Sequence, residues 1–197
     1  GVFDAANFPS ARSGATLWVG GDGDLWMFGG SARDNFENDL WRFDPDTRRW
    51  AWMDGTDRTS PTVPASTGTY GAPSSAGNYP TSRADAMGWR DTSGSFWLFG
   101  GQGTGPQPII SDDGYLNDLW RFSPETGSWS WMSGSFVPYM PAVHGNAGIA
   151  ANSHVPSSRG AGAAWVDATG YLWLWGGVES PNLGQGSLGD FWRLAPP

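Results

Sequence analysis

The chain contains no cysteine. That absence excludes disulfides, thiolate nucleophiles, cysteine-ligated zinc and iron–sulfur clusters. It leaves the compartment open, because secreted proteins also do without cysteine. Histidine is nearly absent: His144 and His154 stand in one loop segment with no third ligand at a zinc-like spacing. Charged residues make up only 15% of the chain, no basic block occurs, and the formal charge is −8, so nucleic acid is not an expected partner. Long apolar runs are missing, so membrane insertion is not expected. Gly1-Val2-Phe3-Asp4 opens the chain without a basic, apolar leader. No helical 3.6-residue period is present. No nucleophile elbow, phosphate loop, dinucleotide fingerprint or His-Glu-x-x-His helix occurs, so neither a cofactor nor an enzyme activity is expected.

What is abundant is glycine (30 residues), proline (15) and tryptophan (14). The tryptophans disclose an internal repeat, the first thing to seek in such a composition. Arg12, Arg83 and Arg159 are each followed six positions later by Trp18, Trp89 and Trp165, and then by Trp26, Trp97 and Trp173. An aromatic and two glycines come next: Phe28-Gly29-Gly30, Phe99-Gly100-Gly101 and Trp175-Gly176-Gly177. After a variable gap stand Asp39-Leu40-Trp41-Arg42, Asp118-Leu119-Trp120-Arg121 and Asp190-Phe191-Trp192-Arg193. The first two copies close on Trp50 to Met53 and Trp129 to Met132, and all 14 tryptophans fall in this frame.

Each copy reads as four short strands, which in the first are Ser13 to Val19, Leu25 to Phe28, Leu40 to Phe43 and Trp50 to Met53. The runs are rich in β-formers and bounded by Gly, Pro, Asp and Ser. Trp26 and Phe28 share one face by the period of two, and Leu25 and Met27 the other. Both faces are apolar, so both must be covered, as in a sheet stacked between two neighbours.

The glycine doublet after an aromatic strand, the Asp-Leu-Trp-Arg strand and the Trp that follows resemble kelch repeats of the long, Trp-rich microbial type, over nearly the whole chain. The resemblance implies an all-β fold of kelch-type propeller blades around a central channel. There would be three four-stranded repeats, at about 9–54, 80–133 and 156–194, with the last incomplete at Leu194-Ala195-Pro196-Pro197. It does not specify a function, since propellers host many. Copper oxidases with kelch-like blades need a cysteine–tyrosine cross-link, which this composition excludes. The aspartate box of sialidase propellers is absent, because Asp91 to Gly94 has another spacing.

The turns between first and second strands and between third and fourth are short, with the Asp, Pro and Gly of tight turns. The other connections are long, and long loops carry function. They hold Phe36, Tyr70, Tyr79, Asp113, Tyr115, Phe136 and Tyr139. Of these, Phe36, Tyr70, Tyr79, Asp113, Tyr115 and Tyr139 are the expected ligand-binding residues, because aromatics beside small polar residues suit recognition. The expected partner is a protein or a glycan, and the expected location extracellular or at the cell surface. Rival readings are a structural repeat unit of an assembly and, more weakly, a carbohydrate-active enzyme using loop carboxylates.

Six charged residues read as structural. Arg12 is expected to pair with Asp39, Arg83 with Asp118 and Arg159 with Asp190, within or across adjacent blades, crossing the strand where the glycines carry no side chain. Trp41, Trp120 and Trp192 are expected to be largely buried between blades. Asp22-Gly23-Asp24 and Ser111-Asp112-Asp113-Gly114 lack an EF-hand spacing and read as turns, with no metal. Three blades do not make a ring, so the chain is expected to be a fragment of a longer propeller or a homo-oligomer.

Overall fold

A computed structural model of the chain describes residues 1–33, 35–56, 79–104, 113–135, 137–151, 153–179 and 186–194. These residues are all-β and contain no helix. The first sheet holds β1 (Thr16–Val19), β2 (Leu25–Ala32), β3 (Asn35–Asp44) and β4 (Arg49–Asp54), hydrogen-bonded in chain order. The second holds β6 (Met87–Arg90), β7 (Phe96–Phe99), β10 (Leu119–Ser123) and β11 (Ser128–Ser133) in the same meander. A separate small sheet holds β5 (Arg83–Ala84), β8 (Gln102–Thr104) and β9 (Asp113–Tyr115), and its β5 touches β2 and β3 of the first sheet. The third sheet has β12 (Ala163–Val166), β13 (Leu172–Val178) and β14 (Ser187–Leu194). All pairings are antiparallel, as short connections require.

The repeat frame is also the register frame. Trp18 lies opposite Trp26, Trp89 opposite Trp97 and Trp165 opposite Trp173. The glycine doublets all take positive φ, 65° and 104° at Gly29 and Gly30, and near those values in the other copies. That conformation is cheap only for glycine. It makes a bulge, with register shifts between Phe28 and Gly30 and between Trp175 and Gly177, after which pairing resumes. The strands therefore run further than the apolar runs suggest. Ser31 and Phe36 are ladder partners in β2 and β3, and Asp113 and Tyr115 belong to β9. Much of what reads as long loop after the glycines is a hairpin arm, and Phe36, Asp113 and Tyr115 are strand residues.

The second sheet is sandwiched between the other two. On one side Trp18, Trp26, Phe28 and Leu40 of the first sheet meet Phe96, Leu98, Trp120, Phe122 and Trp129. On the other, Met87, Trp89, Trp97, Phe99 and Leu119 meet Leu172 and Leu174, with Trp192 and Leu194 packed alongside. Each boundary carries one indole hydrogen bond. Trp18 Nε1 donates to the Trp97 carbonyl at 3.3 Å, and Trp89 Nε1 to that of Trp173 at 2.6 Å.

This stacking decides the fate of the three equivalent tryptophans. Trp120 is buried at 2% exposure because the first sheet covers it, whereas Trp41 and Trp192 are only half-buried. Trp41 points to the face of the first sheet that no other sheet covers among the described residues. Trp192 packs on the second core, but among the described residues the third sheet has no fourth strand beside it. At the opposite end, Gly1 and Asp4 donate their nitrogens to the carbonyls of Trp52 and Trp50, laying the N-terminal segment along the outer edge of β4.

Candidate functional site

The three Arg–Asp pairs form within their own repeats. Arg83 shows the full pattern: Nη1 and Nη2 donate to the two Asp118 oxygens at 2.6 and 2.8 Å, and Nη1 also reaches the Gly100 carbonyl at 2.9 Å. Nε and Nη2 then bond the carbonyl and hydroxyl of Thr81, each at 3.0 Å. All five guanidinium donors are used, which a lysine could not reproduce. Arg12 repeats this with Asp39, Gly29 and Ser10, and Arg159 with Asp190, Gly176 and Ser157. The second oxygen of each Asp also accepts the indole N–H two residues on, from Trp41, Trp120 or Trp192. These arginines are brackets across the sheet.

Carboxylates order the short turns as well. Asp91 Oδ1 accepts from the Ser93 amide and hydroxyl and the Ser95 amide, and its Oδ2 takes the Trp97 indole at 2.7 Å. Asp167 does the same with Thr169, Tyr171 and Trp173. The Thr169 hydroxyl first, then the Trp173 indole, hold the Asp167 carboxyl far below the ordinary range. In the first repeat, where Gly20 stands in place of that Asp, Asp22 and Asp24 both bond Arg42, which also lies over the Phe3 and Trp26 rings. A cavity of 470 Å³ opens on this short-turn side between the first two sheets, bordered by Arg42, Arg90 and Glu125.

The expected ligand residues divide into two groups on the other side of the sheets. Asp113, Tyr115 and Tyr139 come together: Tyr139 Oη donates to the Asp113 carbonyl at 2.7 Å, and the Tyr139 amide to the Tyr115 carbonyl at 3.1 Å. The Tyr139 ring lies over Gly114, where a Cβ would come within 2.6 Å of Cζ. Tyr115 backs onto Gly160, and its phenol is pushed up by burial and then by the charge of Asp85. Phe36 and Tyr79 stand apart from this group. Tyr79 packs on the first core, and its phenol is pushed up by burial and by Asp54. Tyr70 and Phe136 lie outside the described residues.

Among the described residues, none of these expected ligand residues lines the polar cleft of 370 Å³ at the third repeat. Pro141, Ala142 and His144 form one wall, Ser187 to Asp190 another, and Ser157, Arg159 and Glu179 the floor. The segment leading into the first wall is pinned by Met140 and Ser158, whose backbones and the Ser158 hydroxyl exchange bonds of 2.8 Å. His144 is exposed and its ring lies 5.3 Å from that of Trp192, presenting an aromatic surface at the mouth. Burial pushes Asp190 up, but the bonds from Arg159 and Trp192 outweigh it and hold the carboxyl below its ordinary value.

Sequence reading missed this cleft. His144 read as loop surface and Glu179 carried no signal, because neither belongs to the repeat frame and only folding sets them beside Ser157 and Asp190. Ser157 had a faint one: Ser10, Thr81 and Ser157 recur two residues before each bracket arginine. No protein-family model matches the chain, and no curated protein matches it.

Proposed function

We propose that the chain is a non-catalytic binding module of the kelch-propeller kind, which takes a hydroxyl-rich ligand, a glycan, in the cleft between Pro141–His144 and Ser187–Asp190. The carrying observation is the lining of that cleft: a hydroxyl (Ser157), a carboxylate (Glu179) and an imidazole (His144) around a 370 Å³ space, with Trp192 behind the imidazole. A few convergent polar groups beside an aromatic surface, in a pocket of that size, suit a small polar ligand. The Glu179 carboxylate can accept from sugar hydroxyls, the Ser157 hydroxyl, whose oxygen already takes Arg159 Nη2 at 2.9 Å, keeps its hydrogen to donate, and the ring pair matches the apolar face of a pyranose. The formal charge of −8 favours a neutral glycan over an anionic one.

Glycoside cleavage is less favoured. It needs two carboxyl groups in different protonation states facing one bond. Asp190 is committed to Arg159 and Trp192 and held ionised, which leaves Glu179 without a free carboxyl opposite it among the residues lining the cleft.

The test is titration calorimetry with neutral oligosaccharides chosen from a glycan array. We expect saturable binding that falls at least tenfold in Glu179→Gln and in His144→Ala, with unchanged unfolding midpoints. No binding to any glycan, or binding indifferent to both variants, overturns the reading.

A further inference from the structure

We infer that the open face of the third sheet is a docking surface for a second copy of this chain, which it takes by the open face of the first sheet. The chain already builds this kind of boundary twice. In both, a strand tryptophan of one sheet donates its indole N–H to the second strand of the next, Trp18 to Trp97 and Trp89 to Trp173. In both, a turn residue of positive φ hands its carbonyl to the equivalent amide of the next repeat: Asp85 N–H to Gly14 at 2.7 Å, and Ala161 N–H to Asp85 at 2.8 Å. In both, the first glycine of the doublet touches the backbone of the next bracket arginine. A Cβ on Gly29 would lie 2.5 Å from the Arg83 oxygen, and one on Gly100 2.4 Å from that of Arg159.

The third sheet has every donor half of this boundary and, among the described residues, nothing against it. Trp165 is 39% exposed and its Nε1 makes no hydrogen bond among the described residues; Trp175 is 47% and Phe191 62% exposed. The three rings are ordered among themselves, Trp175 stacked on Phe191 at 5.7 Å and Trp165 edge-on to it at 6.2 Å. A Cβ on Gly176 would meet only its own repeat, at Leu188. The acceptor half is equally bare on the first sheet, where Leu17, Val19 and Leu25 are exposed. Leu25 occupies the place that Phe96 and Leu172 fill in the buried boundaries. Ordered aromatics on an uncovered apolar face mark an interaction surface.

Side-chain size is complementary where the first strands meet. Thr16 crowds Gly88 at the first boundary, where a Cβ would come 2.5 Å from its Cγ2. Met87 shares the second core with the small Ala164. The third boundary would set Ala163 against Leu17, with the large residue on the other side. The two faces differ, so the contact is head-to-tail. A pair of copies using it twice hides all four open faces and closes on about six blades, inside the usual range for a ring.

Sedimentation equilibrium and light scattering of the 197-residue chain between about 1 and 100 μM test this. The expected mass is that of two chains. Leu17→Asp and Phe191→Asp alter exposed side chains, and each should give a monomer with unchanged far-ultraviolet circular dichroism. Mixed together they should form a one-to-one pair, because each supplies the face the other lacks. A wild-type monomer at the highest concentration overturns the inference. So does a dimer that Phe191→Asp abolishes and Leu17→Asp leaves intact, since that face would then pair with itself.

Discussion

Arg83 and Asp118 face each other through two parallel hydrogen bonds in a site where their side chains are 1% and 0% exposed. A buried ion pair is weak evidence of net stabilisation, but removing one partner strands the other. Arg83→Lys keeps the charge and loses the fork to Asp118 together with most of the bonds to Thr81 and Gly100. We expect it to cost about 3–5 kcal/mol in urea unfolding. Asp190→Asn should cost less than Asp118→Asn, because the Asp190 side chain is 28% exposed and that of Asp118 0%, so that water can replace part of the pairing at Asp190. Equal losses at the two sites would show that burial does not govern the brackets.

The equivalent tryptophans should differ in the same way. Trp120→Ala removes a ring wedged between two sheets and should cost about 3–5 kcal/mol. Trp41→Ala, at the uncovered face, should cost about half as much for the smaller area returned to water. Unfolding midpoints of the two variants at low micromolar concentration check the ranking.

Gly88 is small for a packing reason. A Cβ there would meet Thr16 Cγ2 at 2.5 Å and Trp18 Nε1 at 2.9 Å. Gly88→Ala should therefore destabilise by about 1–3 kcal/mol through overpacking. Adding Thr16→Ser removes the nearer methyl while keeping the hydroxyl that donates to the Ala86 carbonyl. The double variant should recover part of the loss, and strict additivity of the two changes would contradict this contact.

Acid should loosen the structure through carboxylates that the fold keeps ionised. Asp190 and Asp167 titrate below their ordinary 3.8 when folded. A depressed folded value gives stability that is complete above the unfolded value and lost as pH falls through the folded one. Stability should fall from about pH 4 downward, and Asp167→Asn should flatten that limb. Asp54 works in the opposite sense, since burial pushes its carboxyl up and ionising it opposes folding. Urea titrations between about pH 2 and pH 6 measure both slopes; a steeper acid limb in Asp167→Asn would reverse the assignment.

Local pattern alone determined the all-β class, the strand order within each repeat and the Arg–Asp brackets. Pairing partners there lie within one repeat, and turn residues, alternation and the glycine doublets are read over a few positions. The extension of β2 and β3 past Gly29-Gly30 needed the bulge geometry, because the residues beyond it are too polar to look like strand. The contrast between Trp41, Trp120 and Trp192 needed the stacking of sheets: nearly the same local sequence meets a neighbouring sheet in the second repeat, none among the described residues in the first, and a neighbour but, among the described residues, no fourth strand beside it in the third. The cleft needed the tertiary structure: Ser157, Arg159 and Asp190 recur with the repeat, but His144 and Glu179 do not, and only the packing of the third sheet against the Met140–Ser158 loop brings the five together.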